Sequence, residues 1–438
     1  MSDVCVEYPH DWASRSLEQI SFRITSGGTP TSGSPRYYRE YGGLPFAKTE
    51  DLTRAGKKFI DGCELAISDA ALKETAAKRY PAGTILVSMY GTIGLTKITA
   101  VEMAANQALC ALIPPFACDS DYLYHHLDHI RAEWLKHSGQ TTQANISGAA
   151  VRAHVVPLPH PAEQRQIAQV LDTLDTAIHE TEAIIAKLKA VKQGLLHDLL
   201  TRGIDANGEL RPPQAEAPHL YKQSPLGWIP KEWDVSSVGA EFIVDAGITL
   251  GQHRVPRIRP RPYLRVANVH RAALKLDDIA YLEASDAEAT EKSLRPGDLL
   301  VVEGHASTDE IGRCAMADQD VSGFLFQNHL FRLRPRRLNN NFSLLWMNSE
   351  FVRAYWRTEA ATSSGLNTIN RTKLNAVSIA VPIREEQRGI ATIAANINAR
   401  MFGECATREK LRQQKAALMD DLLTGRVRVT PLLEGAAP

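Results

Sequence analysis

Three groups of side chains in this sequence have the types and spacing that chemistry uses. His125, His126 and His129 form the first, and His125 with His129 has the spacing of two metal ligands on one helix face. No Glu lies between them as in H-E-x-x-H, and the second half of the chain has no matching histidines. A partly exposed helix face is therefore the expected role, and no metal is assigned. The second group, Ile113-Pro114-Pro115-Phe116, shares its prolines with the Asn-Pro-Pro-Tyr loop of amino-methyltransferases but lacks the Asn or Asp that would hold a target amine. No glycine-rich methyl-donor loop precedes it, and no G-x-x-x-x-G-K-[ST] occurs, so no catalytic residue is expected. The third group consists of amides, imidazoles and cations suited to nucleic acid, where Gln and Asn pair with adenine and Arg or Lys with guanine. Its loop candidates are Lys97, Asn106, Gln107 and Gln143, then His305, Arg313, Gln327, Asn328 and His329. Polar residues at strand ends also close loops by bonding backbone groups, which is the structural alternative. Arg257, Arg259 and Arg261 lie in the basic run His253–Arg265 and suit a phosphate clamp, and Arg332–Arg337 is a second arginine-rich run.

These groups need elements to position them. A chain of 438 residues is too long for one ordinary core and predicts at least two domains. No apolar run reaches the length of a membrane span, and the first residues do not read as a signal peptide. The six cysteines lie far apart without a C-x-x-C pair, which predicts reduced thiols and a cytoplasmic protein. A net charge of zero weighs mildly against nucleic acid, unless partner chains supply part of the phosphate grip.

The organising feature is an internal repeat. A constant offset carries Glu163, Gln164, Arg165, Ile167 and Ala168 onto Glu386, Gln387, Arg388, Ile390 and Ala391. The same offset carries Asp198-Leu199-Leu200-Thr201 onto Asp421-Leu422-Leu423-Thr424. Weaker echoes fill the rest. Pro9 and Trp12 match Pro230 and Trp233, LPFAKTEDL from Leu44 matches RPYLRVANV from Arg261, and PAGTILVS from Pro81 matches RPGDLLVV from Arg295. A period this long means domain duplication. In the first preserved segment Leu171, Leu174, Ile178, Ile185, Leu188, Leu195 and Leu199, with Thr181 and Lys192 filling the gaps, alternate at three and four, a heptad seam. Each such helix of about 40 residues would be roughly 60 Å long. Two copies in one chain favour antiparallel pairing within the chain over a dimerising coiled coil. Short β-rich runs after Pro-Gly turns mark the variable domains as mixed α/β, each with one late amphipathic helix, around Tyr122–Lys136 and Ser343–Arg357.

The expected fold is therefore two α/β (α+β) recognition domains in tandem, separated by long antiparallel coiled-coil helices in an internal pseudo-two-fold repeat. The first domain spans 1–159 and the first helix 160–203. A linker rich in Pro and Gly spans 204–226, the second domain 227–382, the second helix 383–426 and a tail 427–438. Glu163 and Glu386 suit the first turn of a helix, whose dipole favours acids, but that does not explain the repeated Arg165 and Arg388. A contact between helices or with a subunit is the other reading of these four residues.

In their order, Gly27-Gly28-Thr29-Pro30, LPFAKTEDL, Met89–Gly94 and Asn106-Gln107 resemble the recognition domain of the type I restriction-modification specificity-subunit family. Arg295–Asp298, Val302–Gly304, Glu310–Arg313 and Phe326–His329 resemble a variant of it, and Phe46 departs from the family's frequent tryptophan. The resemblance implies that each domain reads one half of a bipartite, asymmetric site in double-stranded DNA. It implies helices that dock two modification (methyltransferase) subunits and set the half-site spacing, with restriction/translocase subunits joining them. It implies a chain that is not itself an enzyme and binds no cofactor, while S-adenosylmethionine, ATP and Mg2+ serve the partners. The alternatives are a self-sufficient methyltransferase or nuclease, or a coiled-coil scaffold, which leaves two diverged globular domains unexplained.

Overall fold

Two helices dominate the secondary structure, Pro161–Thr201 with 41 residues and Arg384–Leu423 with 40. Pro161 occupies a first-turn position, where a missing N–H costs nothing. Gly203 and Gly425, with φ of 62° and 75°, let the chain turn away beyond each helix in the left-handed region that favours glycine. The computed structural model describes residues 8–40, 42–137, 145–305, 307, 309–359 and 367–430. The chain divides into two compact units, Met1–Ile184 with Glu404–Pro438, and Ile185–Gly403. Each unit thus takes the opening of one long helix and the closing stretch of the other.

In the first unit a five-stranded sheet runs in the order Ser21–Ser26, Leu109–Phe116, Ile85–Ser88, Thr96–Thr99, Phe59–Ile60. A second five-stranded sheet contains Leu44–Ala47, which pairs in parallel with Met103–Ala105. Ala13–Ser16 and Val155–Leu158 form a separate antiparallel pair that leads into the long helix. The second unit repeats this plan. Its four-stranded sheet runs Phe242–Ala246, Leu330–Pro335, Leu299–Val302, Cys314–Met316, and Pro260–Leu264 pairs in parallel with Leu325–Phe326. Asp234–Ser237 and Ser378–Val381 again form the antiparallel pair before the helix. Local chemistry repeats as well. Ser16 and Ser237 each cap a four-residue helix by accepting from a backbone N–H three residues on.

Within the first unit the helices run antiparallel. Ile167 and Leu171, early in one, share a core with Met419, Leu422 and Leu423, late in the other. Lys415 meets Asp175 at 2.7 Å and Arg412 meets Glu182 at 2.5 Å, so positions advance on one helix as they fall on the other. Within the second unit Leu199 and Leu200 share a core with Ile390 in the same sense.

Two expectations change. Each late amphipathic helix is two helices, Ser120–His129 with Arg131–His137, and Asn340–Met347 with Glu350–Glu359. In the second pair the break falls at Asn348, whose side chain accepts from Cys314 N and donates to Cys314 O, bonds that end the helix in favour of the neighbouring strand. The expected linker 204–226 is an ordered arm. Ile204 bridges to Leu210, the Tyr221 hydroxyl donates to Pro212 O, and Tyr221–Ser224 forms a hairpin with Gly227–Pro230. Its prolines and glycines shape turns of fixed structure.

Candidate nucleic-acid interface

One backbone frame is built twice at the ends of the sheets. In the first unit Gly27 N donates to Leu109 O, Asn106 N to Ala47 O, Met89 N to Ala108 O and Ile146 N to Met89 O, at 2.8–3.1 Å. In the second, Gly247 N donates to Leu330 O, Gln327 N to Leu264 O, Glu303 N to His329 O and Ile369 N to Glu303 O, at 2.7–3.3 Å. The frame therefore equates Asn106 with Gln327, Gln107 with Asn328, Ala108 with His329 and Met89 with Glu303. Glycine is required where it enters. A Cβ on Gly27 would stand 2.1 Å from Asn106 O, and one on Gly247 would stand 2.2 Å from Phe326 O. That close approach accounts for Gly27 of the Gly-Gly-Thr-Pro motif.

The frame gathers several of the candidates. Gln107 is exposed, and its Oε1 accepts from the Thr29 hydroxyl. Asn106 Oδ1 accepts from Ala108 N at 3.2 Å, so this amide closes its own loop. Tyr90, beside Met89, presents its ring to solvent. In the second unit Gln327 and Asn328 are half-buried and His329 is exposed with Nδ1 2.9 Å from Glu303 Oε2. His305 lies two residues beyond Glu303, its Nδ1 accepting from Ser307 N. Gln143 lies outside the described residues.

Two candidates are not presented at all. Lys97 is 7% exposed on the strand Thr96–Thr99 and donates to Lys57 O, and burial pushes its pKa down. Arg313 is also 7% exposed and donates to Val269 O and Val266 O while pairing with Glu310, which makes it a brace for its loop. The basic runs are largely spent inside the fold. Arg332 is buried against Asp245, Arg334 grips Asp298 through two bonds of 2.7 Å, and Arg337 grips Glu241. In the run His253–Arg265, Arg261 and Arg259 both reach Asp286, at 2.7 and 3.6 Å. Arg254 pairs with Glu288 and holds its carboxyl down to about 2. The backbone N–H groups of Arg257, Ile258 and Arg259 all donate to the Glu283 carboxylate, and both Arg257 and Ile258 stand exposed. The histidine cluster also differs from expectation. His125 and His126 are buried: His125 Nε2 lies 2.8 Å from Asp172, which Lys58 also holds, and His126 Nε2 lies 3.0 Å from His154 Nε2. His125, Asp172 and Asp175 lie close enough to share a cation, but Lys58 and Lys415 already balance the two carboxylates.

The repeated Glu-Gln-Arg motif turns out to be a clasp. Glu163, 1% exposed, takes two bonds from Arg428 at 2.7 and 2.8 Å, and Arg428 also reaches Asp11, the residue before Trp12. Glu386 takes Arg211 in the same way, and Arg211 also reaches Glu232, the residue before Trp233. Glu386 further accepts from Trp233 Nε1 and Ile204 N, both at 3.0 Å. Sequence reasoning missed Arg211 and Arg428 because they follow Gly203 and Gly425 at different distances, which an ungapped comparison cannot align. Gln164 accepts from Asp119 N and donates to Pro159 O; Gln387 accepts from Asn339 N and donates to Pro382 O, all at 2.8 Å. Arg165 and Arg388 are exposed, Arg388 beside Glu385 at 3.1 Å.

Fold and site together define a chain with a recognition module duplicated on paired helices, whose loops offer hydrogen-bonding groups to a ligand. The family model of the type I restriction modification DNA specificity domain matches residues 9–190. The chain is 26% identical over 264 residues to the type I restriction enzyme MjaIX specificity subunit of Methanocaldococcus jannaschii, a match spanning 60% of this chain and 59% of that relative's length. It is 22% identical to the putative MjaX specificity subunit of the same organism, across 97% of this chain and 95% of that protein. Its fold is that of a solved chain described in work on complex assembly and conformational transition of the type I R-M system, with TM-score 0.59 and 17% identity, covering 96% of this chain and all of that one (100%). The S subunit from M. genitalium is also similar, with TM-score 0.51 and 14% identity over 96% of this chain and 98% of its own. Across nearly its whole length the chain is therefore similar to type I restriction enzyme specificity subunits.

Proposed function

We propose that this chain reads DNA sequence for a type I restriction-modification enzyme and performs neither methylation nor cleavage itself. Each unit reads one half of a bipartite site through its sheet-end loops. The long helices dock two modification subunits and set the separation of the half-sites, and restriction subunits join through that core. S-adenosylmethionine, ATP and Mg2+ act in those partners. The observation that carries this reading is the frame built twice with different side chains on it. Asn106 and Gln107 occupy the positions of Gln327 and Asn328, and Met89 and Ala108 those of Glu303 and His329. One backbone with two side-chain sets is what a reader of two unlike half-sites requires. Internal pairing of most arginines in the basic runs accords with a chain of zero net charge that leaves much of the phosphate grip to its partners.

Mapping methylated adenines in cells carrying the chain with its modification subunits tests this. The expected result is one motif of two unlike halves with a fixed gap, lost when the chain is deleted. A palindromic or continuous motif, or methylation by the highly purified chain alone, would overturn the proposal.

A further inference from the structure

At one point of the shared frame the two units carry different chemistry. Met89 is buried and Ala108 offers only a methyl group, whereas Glu303 and His329 at the same positions meet in a hydrogen bond, with Nδ1 2.9 Å from Oε2. The frame closes in the first unit without any such pair, so its bonds do not require one. The Glu303–His329 side chains are also incompletely covered, 29% and 57% exposed.

We propose that Glu303, oriented by His329, is a base-reading residue that selects a base with an exocyclic amino group in the major groove. This rests on the DNA-reading function proposed above. The main chain of Glu303 is fixed on both sides, by His329 O and by Ile369 N, so its side chain leaves a rigid strand end. A carboxylate only accepts hydrogen bonds. Oε2 is engaged with His329 Nδ1, and Oε1 has no hydrogen-bond partner among the described residues. With the His329 Nδ1–H donating, the neutral ring presents Nε2 as a second acceptor. Oε1 accepts the one N–H that the N4 amino group of cytosine or the N6 amino group of adenine offers to the groove, and both acceptors oppose guanine O6 and thymine O4.

The test is a binding selection from a library of randomised duplexes by the full chain co-purified with its modification subunits. Wild type is expected to select cytosine or adenine at one position of one half-site. Glu303→Gln, which keeps the shape but adds a donor, should lower that preference about tenfold while every other position holds. His329→Asn should weaken the same position and no other. Retained selection at every position in an E303Q complex that binds with wild-type affinity would reduce the pair to a loop brace. A uniform loss across all sequences, with an unchanged melting temperature, would assign it to general affinity, and either outcome overturns the inference. If wild type itself selects no sequence, the DNA-reading function fails instead.

Discussion

Replacing Glu386 by alanine should cost more than replacing Glu163, although the sequence presents them as the same residue. In the second unit the Glu386 carboxylate satisfies Arg211, Trp233 Nε1 and Ile204 N together. The Arg211 side chain is 11% exposed and keeps only the exposed Glu232 as a charged partner, so truncation leaves a nearly buried cation half-paired and two N–H donors without their acceptor. Removing one partner of a buried ion pair costs about 3–5 kcal/mol. In the first unit Arg428 is 30% exposed and keeps Asp11 after Glu163 is lost, while Trp12 Nε1 has no partner to lose. There the loss is a charged hydrogen-bonded contact, about 1–3 kcal/mol. At roughly 2–4 °C per kcal/mol for a unit of this size, E386A should lower its melting transition by about 10 °C and E163A by about 5 °C. Glu386→Gln should fall between, since its amide oxygen still accepts from Trp233. Thermal unfolding of the full chain, followed by tryptophan fluorescence, reads this. An E163A loss equal to or larger than that of E386A would refute the assignment of energy to the buried donors.

Gly203→Ala should destabilise by more than about 2 kcal/mol in urea unfolding, because its Cβ would stand 2.2 Å from Glu386 Oε1 at a φ of 62°. Gly194→Ala, on the long helix with open space around its Cβ, should instead be neutral or slightly stabilising. Burial pushes the His154 pKa down to about 4 and holds that of His126 well below its usual value. Both imidazoles are neutral in the fold, so the first unit keeps this stability above about pH 6.5 and loses it as the pH falls toward 4. His154→Asn should flatten the melting temperature between pH 7 and 4.5, and an unchanged slope would sink the idea. If the run His253–Arg265 grips phosphate, Arg257→Ala should lower the salt slope of DNA binding by about 1. Arg261→Ala should lower it less, because Asp286 already holds that guanidinium; equal effects would contradict this.

The repeat, the long helices and the mixed α/β class were legible because each rests on near-neighbour pattern: a heptad seam, a Pro-Gly turn, an ungapped match. The charged residues were not. Arg332 and Arg334 look like a basic surface run, yet their strand turns them onto Asp245 and Asp298, acids far away in sequence. Lys97 and Arg313 are likewise drawn into the fold, since position in the backbone decides which way a cation faces and composition does not. Gln327, Asn328 and His329 were found together because turn residues after a strand mark a loop. Glu303, although inside the stretch Val302–Gly304, was not among the candidates because an acid after an apolar strand is neither the amide nor the cation by which base readers were sought. Only the backbone frame shows that it occupies the place of Met89.

Gln164 and Gln387 each hold the exit of a globular domain with the same two bonds, one to a backbone N–H at a helix entrance and one to a proline carbonyl. Both partners are main chain, so neither glutamine depends on which side chains the domain in front of it carries. The junctions at Pro159 and Pro382 are thus standard couplings. A gene exchange cut there would deliver a foreign domain into a socket that already fits it. On the proposed function, such an exchange would change the target sequence in one step and leave the long helices as they were.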